Sequence, residues 1–114
     1  MDFRVTIGFQ GDVAVIRLRG ELDVHTTPTL RAAVDGALDA EVGAVVLDLG
    51  DLTFVDSHGI GVIVGCYRAA TSSGTALTIR DPSPAVEQIL AITAIDRLLT
   101  VDRGTPATPD YSTN

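Results

Sequence analysis

The chain has no lysine and no tryptophan, one cysteine, and an aromatic set of only three phenylalanines and two tyrosines. All eight basic residues are therefore arginine, set against fifteen acidic ones for a formal charge of −7. Nucleic acid and anionic membrane both require basic clusters, so this balance disfavours them as partners and favours a basic protein surface. Cys66 has no second cysteine to pair with, which rules out an intrachain disulfide and fits a reducing compartment. It lies in an apolar stretch and reads as a small buried hydrophobe. With aromatics scarce, the core must be built from Val, Ile, Leu and Ala. No apolar run approaches the ~20 residues that span a bilayer. Met1-Asp2-Phe3-Arg4 shows neither the basic nor the apolar region of a signal peptide, so a cytoplasmic protein is expected. His25 and His58, without cysteines or a spaced carboxylate pattern, do not make a metal site. They read as solvent-facing, and no cofactor motif is apparent.

What is present is a chain of 114 residues, 46% hydrophobic, with a mean hydropathy of +0.31. That is enough for one domain with a real core. Phe3, Val5, Ile7 and Phe9 alternate with Arg4, Thr6 and Gly8, and Ala14, Ile16 and Leu18 alternate with Arg17 and Arg19. Gln10-Gly11-Asp12 between them supplies turn chemistry, so the pair reads as a β-hairpin. Thr26-Thr27-Pro28 places a capping hydroxyl beside a proline suited to a first helical turn, and Leu30, Val34, Ala37 and Leu38 follow on one helical face. Ala44–Leu47 is a short buried strand, and Ala76–Ile79 another. Ser83-Pro84 opens a helix continued by Val86, Ile89 and Leu90. Leu98–Val101 reads as the last strand. From 103 to 114 the composition turns polar and aperiodic and reads as a flexible tail, leaving 1–102 as the domain.

The stretch after Ser57 is contested locally. Ile60, Val62, Ile63 and Val64 are β-branched, and Gly59, Gly61 and Gly65 are poor helix formers, so propensity favours a strand. The run is too long for a typical strand, has no internal turn, and follows a serine placed as an N-cap, which predicts a helix from Ser57 to about Thr71. Gly61 and Gly65, four apart, are expected to let that helix approach a sheet closely. The order β-β-α-β-α-β-α-β implies an α/β fold with a mixed, mostly parallel sheet and the first strand added antiparallel at one edge. Functional residues collect at the carboxyl ends of such strands, which brings Asp23, Asp56 and Ser57 together. Ser57 there is either a structural cap or a site for phosphate, favoured by the amides and dipole of a helix N-terminus.

Asp56-Ser57-His58-Gly59-Ile60-Gly61-Val62-Ile63 resembles the signature of the STAS-domain anti-sigma factor antagonists. Gly20-Glu21-Leu22-Asp23 resembles the motif that ends their second strand. The likeness covers about Phe3 to Val101. It implies a single STAS-like domain that is not an enzyme and has no catalytic residue. It implies phosphorylation at Ser57, and a partner-binding surface of Asp23, Val24, His25, Thr26, Asp56, His58, Gly59 and Ile60. The implied partners are an anti-sigma factor of the serine-kinase type, bound by the unphosphorylated form so that the sigma factor is released, and a serine phosphatase that restores the hydroxyl. His58 departs from the pattern, since most relatives carry a small hydroxyl there.

Other classes fit less well. A serine hydrolase would need His58 as the base for Ser57, but sequence neighbours on a helix project in different directions, and no G-x-S-x-G elbow is present. Acyl and peptidyl carrier proteins also place D-S at a helix start but are helical bundles, whereas this chain opens with a hairpin. A STAS scaffold or subunit of a stress-sensing or lipid-transport complex is the nearest alternative. Retention of Asp56-Ser57 favours the switch.

Overall fold

The computed structural model describes residues 2–103. The hairpin forms as the alternation predicts, with β1 (Arg4–Gln10) antiparallel to β2 (Val13–Leu22). Then follow α1 (Thr27–Asp39), β3 (Ala44–Val55), α2 (Ser57–Ser72), β4 (Ala76–Arg80), α3 (Pro84–Thr93), a 3₁₀ turn at Ile95–Arg97 and β5 (Thr100–Asp102). The five strands lie in chain order, and all pairs after the first are parallel. This sheet removes the carrier-protein alternative. Of the tail expected at 103–114, only Arg103 lies within the described residues. It forks onto Glu87 at 2.7 and 3.0 Å, closing the described chain against α3.

Two strands differ from their sequence reading. β3 runs to Val55 instead of stopping at Leu47, because Asp48, Gly50 and Asp51 do not break it. Asp48, only 9% exposed, is held by Arg17 and Arg80 at 3.3 Å each, and its other oxygen accepts the Gly50 N–H at 3.1 Å. Shifts of register between Arg17 and Arg19, and again between Gly20 and Glu21, absorb the irregularity in β2. Gly20 sits at the second shift with φ +106, and an added Cβ would lie 2.8 Å from the Asp2 carbonyl oxygen, so the position demands glycine. The last strand starts at Thr100 rather than Leu98. Ala94 turns left-handed to end α3, and the Leu98 and Leu99 N–H groups bond back to the Ile95 carbonyl instead of to a ladder.

The core is aliphatic throughout, from Ile16, Leu18 and Leu22 on β2 to Val45, Leu47 and Leu49 on β3, Ile79 on β4 and Ile63 on α2. Cys66 belongs to it, and burial raises its thiol pKa. Helix α2 forms in spite of its β-branched residues because Ile60, Ile63, Cys66 and Ala70 bury a continuous stripe. Tertiary burial here overrides local propensity. The glycines play a different part from that expected. Gly61 faces open space and Gly65 faces the Arg31 guanidinium of α1. The close approach to the sheet is made by Gly59, where a Cβ would lie 2.8 Å from both the Leu22 carbonyl oxygen and Val55 Cγ2.

Candidate functional site

Parallel pairing of β2 with β3 sets Leu22 opposite Val55, so the two following loops emerge at the same end of the sheet. The Asp56 N–H reaches back to the Leu22 carbonyl at 3.4 Å, joining them. Topology alone predicts that Asp23 and Asp56 meet at this end, and the structure brings their loops together.

The first loop is internally locked. Asp23 Oδ1 accepts the His25 N–H at 2.9 Å and the Thr26 N–H at 3.2 Å. The Asp23 N–H in turn donates to Thr26 Oγ1 at 2.9 Å, and that hydroxyl donates to the Glu21 carbonyl at 2.8 Å. The Thr26 hydroxyl thus serves the loop and makes no bond to the start of α1, correcting its reading as a helix-capping group. Between these two residues the loop exposes Val24, 56% accessible, and His25.

At the start of α2 the cap is Asp56, whose Oδ1 accepts the Gly59 N–H at 2.8 Å. Ser57, expected as the N-cap, is instead the first helical residue. It is exposed, and its hydroxyl makes no hydrogen bond among the described residues. An aspartate is as good a cap as a serine, and one residue's offset in the D-S pair decides which of them turns back onto the helix. The first turn of α2 carries no acidic side chain, and the Asp56 cap is the carboxylate that complements its N-terminal dipole.

His58 Nε2 lies 3.1 Å from Thr27 Oγ1. Thr27 is 3% exposed, so this contact clips the first turn of α2 to the first turn of α1. The imidazole is engaged by α1 and not by Ser57, which removes the nucleophile–base hydrogen bond a serine hydrolase requires. Gly59 and Ile60 are buried, Ile60 to 3%, and so support the surface from below without presenting a side chain on it. The exposed members of the expected set are Val24, His25, Ser57 and His58, with Asp23, Thr26 and Asp56 half-buried as loop and cap residues.

One neighbour escaped the sequence reading. Phe54 is 45% exposed and lines a shallow groove with Val55, Ala85, Gln88, Ile89 and Ile92. Its signal was available: an aromatic three residues before the serine, in a chain with so few aromatics. Among the described residues no group of three His, Cys, Asp or Glu side chains could hold a metal, and no helix is long and apolar enough to cross a membrane.

Comparison with known proteins places this arrangement in a family. Residues 5–100 match the profile described as the Mlab, STAS domain. The anti-sigma F factor antagonist of Paenibacillus polymyxa is 30% identical over 102 residues, covering 89% of this chain and 87% of its own. A Thermotoga maritima structure, provisionally an anti-sigma factor antagonist, superposes with a TM-score of 0.79 at 25% identity, covering 90% of this chain and 87% of the other. The anti-sigma factor antagonist SpoIIAA in its unphosphorylated form gives 0.72 at 25% identity, covering 92% and 90%. The chain belongs to the STAS-domain family, alongside relatives that are anti-sigma factor antagonists.

Proposed function

We propose that this chain is an anti-sigma factor antagonist whose Ser57 is its phosphorylation switch. It acts by binding, not by catalysis. The unphosphorylated form binds an anti-sigma factor of the serine-kinase type, which frees the sigma factor. The kinase then transfers phosphate from its own Mg-ATP to Ser57, and a serine phosphatase reverses the step. The observation that carries this reading is the free hydroxyl of Ser57. With Asp56 acting as the cap, Ser57 makes no capping bond at the helix start and stands exposed, next to His58, at the end of the sheet from which the loop carrying Val24 and His25 also emerges. The relatives named as antagonists support the same reading, as does the structure of the antagonist SpoIIAA, described as being in its unphosphorylated form.

The chemistry is consistent with release on phosphorylation. A phosphoserine brings a charge of about −1.5 to −2, and like charges brought together at an interface cost several kcal/mol. Placed next to a partner's bound nucleotide, the added dianion drives dissociation. A second reading is a STAS scaffold or subunit of a larger assembly, which the match to a STAS-domain profile fits equally.

One experiment separates the two. The protein is incubated with candidate anti-sigma kinases and Mg-ATP, added phosphate is mapped by mass spectrometry, and calorimetry compares partner affinity for wild type, Ser57→Ala and the phosphoform. The switch requires phosphate on Ser57, tight binding by the first two forms and weak binding by the third. Equal affinity for all three assigns the chain to the scaffold class.

A further inference from the structure

The two faces of the sheet are used differently. Ala14, Ile16, Val45, Leu47, Leu77 and Ile79 turn one face into the core. The alternate residues make the other face, and the strand register sets them in rows. Thr6, Arg17, Asp48 and Arg80 are successive neighbours on β1 to β4, and Gly8, Val15, Val46 and Thr78 form the next row. A charged row thus runs beside a row of small, uncharged residues.

Asp48 has more cationic partners than its charge requires. Arg17 Nε and Arg80 Nη2 both approach its Oδ2 at 3.3 Å, while its Oδ1 accepts the Gly50 N–H. One guanidinium balances one carboxylate, so the second leaves a surplus positive charge, in a chain whose net charge is −7. Each guanidinium holds several N–H donors and spends one of them on Asp48.

Both arginines line a hollow of about 340 Å³, together with Thr6, Gly8, Gln10 and Val15. No residue of β3 lines it, so Arg80 leans across β3 towards β1 to reach it. That direction leads away from β5, where Asp102 is its register partner. The Thr6 hydroxyl and the Gln10 amide make no hydrogen bond among the described residues. Gly8 lies in a strand without a register shift, and an added Cβ would meet nothing within 4 Å. A glycine inside an unbent strand is characteristic of a place where a ligand or another backbone comes close.

We infer that this hollow binds a small phosphate monoester. A carboxylate has two oxygens, and one guanidinium fork can occupy both. Phosphate offers three strong acceptor oxygens, enough for Arg17, Arg80 and the Thr6 hydroxyl together. Val15 and the bare backbone at Gly8 lie under the organic body of the ester. The volume is at the low end for ligand pockets, which suits a small molecule and not a polymer. The side chains of Arg17 and Arg80 are 52% and 33% exposed, so binding is weak and sensitive to salt. Ser57 contributes nothing to this site, which stands or falls apart from the proposed switch.

Titration of the isotope-labelled full chain with phenyl phosphate, followed by amide NMR, tests this, with each variant's fold checked by its thermal melt. Saturable shifts are expected at Thr6, Gly8, Val15 and Arg17, with benzoate and phenol binding at least tenfold more weakly. Gly8→Val fills the hollow without touching a charge, and Arg17→Gln removes one fork. Each should weaken binding about tenfold or more, and Arg17→Gln decides alone if Gly8→Val lowers the melt. Shifts that never saturate, or that spread equally to Arg68 and Arg97, mean adventitious ion pairing and overturn the proposal. Binding that survives these substitutions in a folded variant also overturns it. Phenol binding as tightly as phenyl phosphate would leave only an apolar hollow, and benzoate doing so would refute the phosphate head.

Discussion

Asp56 accepts the Gly59 N–H at 2.8 Å, and this one bond separates two roles that a D-S pair could have shared. The aspartate holds the helix, and the Ser57 hydroxyl is left without a hydrogen bond among the described residues. Asp56→Ala should therefore destabilise the domain by about 0.5–2 kcal/mol, the usual cost of a lost N-cap. Ser57→Ala should fall within about 0.5 kcal/mol of wild type, as an exposed substitution away from special features does. Urea denaturation of both variants reads the difference. A larger loss at Ser57 than at Asp56 would return the cap to the serine.

The same helix start holds two glycines of opposite character. At Gly59 a Cβ would press on the Leu22 carbonyl and on Val55 at 2.8 Å, both parts of the packed strand ends. Gly59→Ala is expected to cost about 1–3 kcal/mol through overpacking. At Gly61 nothing lies within 4 Å, so Gly61→Ala should stabilise the helix by roughly 0.5–1 kcal/mol. Thermal melts of the two variants should move in opposite directions.

Asp23 reads from sequence as a partner-facing carboxylate, but its Oδ1 is occupied by the His25 and Thr26 N–H groups. Asp23→Ala leaves both donors to solvent and loosens the only segment that displays Val24 and His25. A stability loss of about 0.5–2 kcal/mol is expected for hydrogen bonds of this kind, together with weaker partner binding. Asp23→Asn keeps an acceptor oxygen and should recover most of both. Weak binding by the asparagine variant with full stability would show that the charge itself meets the partner.

These cases show where the sequence was legible and where it was not. The hairpin, the helix starts at Pro28 and Pro84 and the Ser83 cap followed from alternation and turn chemistry, and Ser83 does accept the Val86 N–H at 3.3 Å. The true length of β3 was hidden. Asp48, Gly50 and Asp51 look like breakers until long-range partners are known, and Arg17 and Arg80 lie 31 and 32 residues away from Asp48 in the chain. The meeting of the β2 and β3 loops was legible from topology. The Thr27–His58 contact was not, since it depends on how α1 and α2 pack. Nor was the inward turn of Ile60, because an apolar residue beside a motif gives no sign of the side it takes.

Asp48 links stability to pH. Burial pushes its carboxyl pKa up, but the Gly50 N–H and the guanidinium groups of Arg80 and Arg17 outweigh this and hold it below the ordinary aspartate value of 3.8. A carboxylate depressed in the folded state contributes stability that is fully present above its unfolded value. That contribution is lost as pH falls through the folded value. Asp48→Asn removes the titrating group while keeping its shape. The variant should be less stable than wild type at pH 7, and its loss of stability between pH 7 and pH 3 should be smaller. Denaturation curves at the two pH values measure both, and an unchanged acid limb would remove Asp48 from the account.

Phosphorylation of Ser57 should alter affinity and leave the fold intact. The phosphate would stand on the first residue of α2, where the exposed amides and the helix dipole favour negative charge, with the neighbouring Asp56 carboxylate opposing it in part. His58 is already held by Thr27, so it is not expected to be the main anchor of the phosphate. The melting temperature of the phosphoform should accordingly stay within a few degrees of the unmodified protein, while affinity for the kinase-type partner falls at least tenfold, equivalent to about 1.4 kcal/mol. Ser57→Asp carries one charge on a shorter arm and should lie between the two. Calorimetric titration of all three forms against one partner, paired with their melts, makes the comparison. A phosphoform that loses its cooperative melt would mean that release comes from unfolding, and the electrostatic account of the switch would then be wrong.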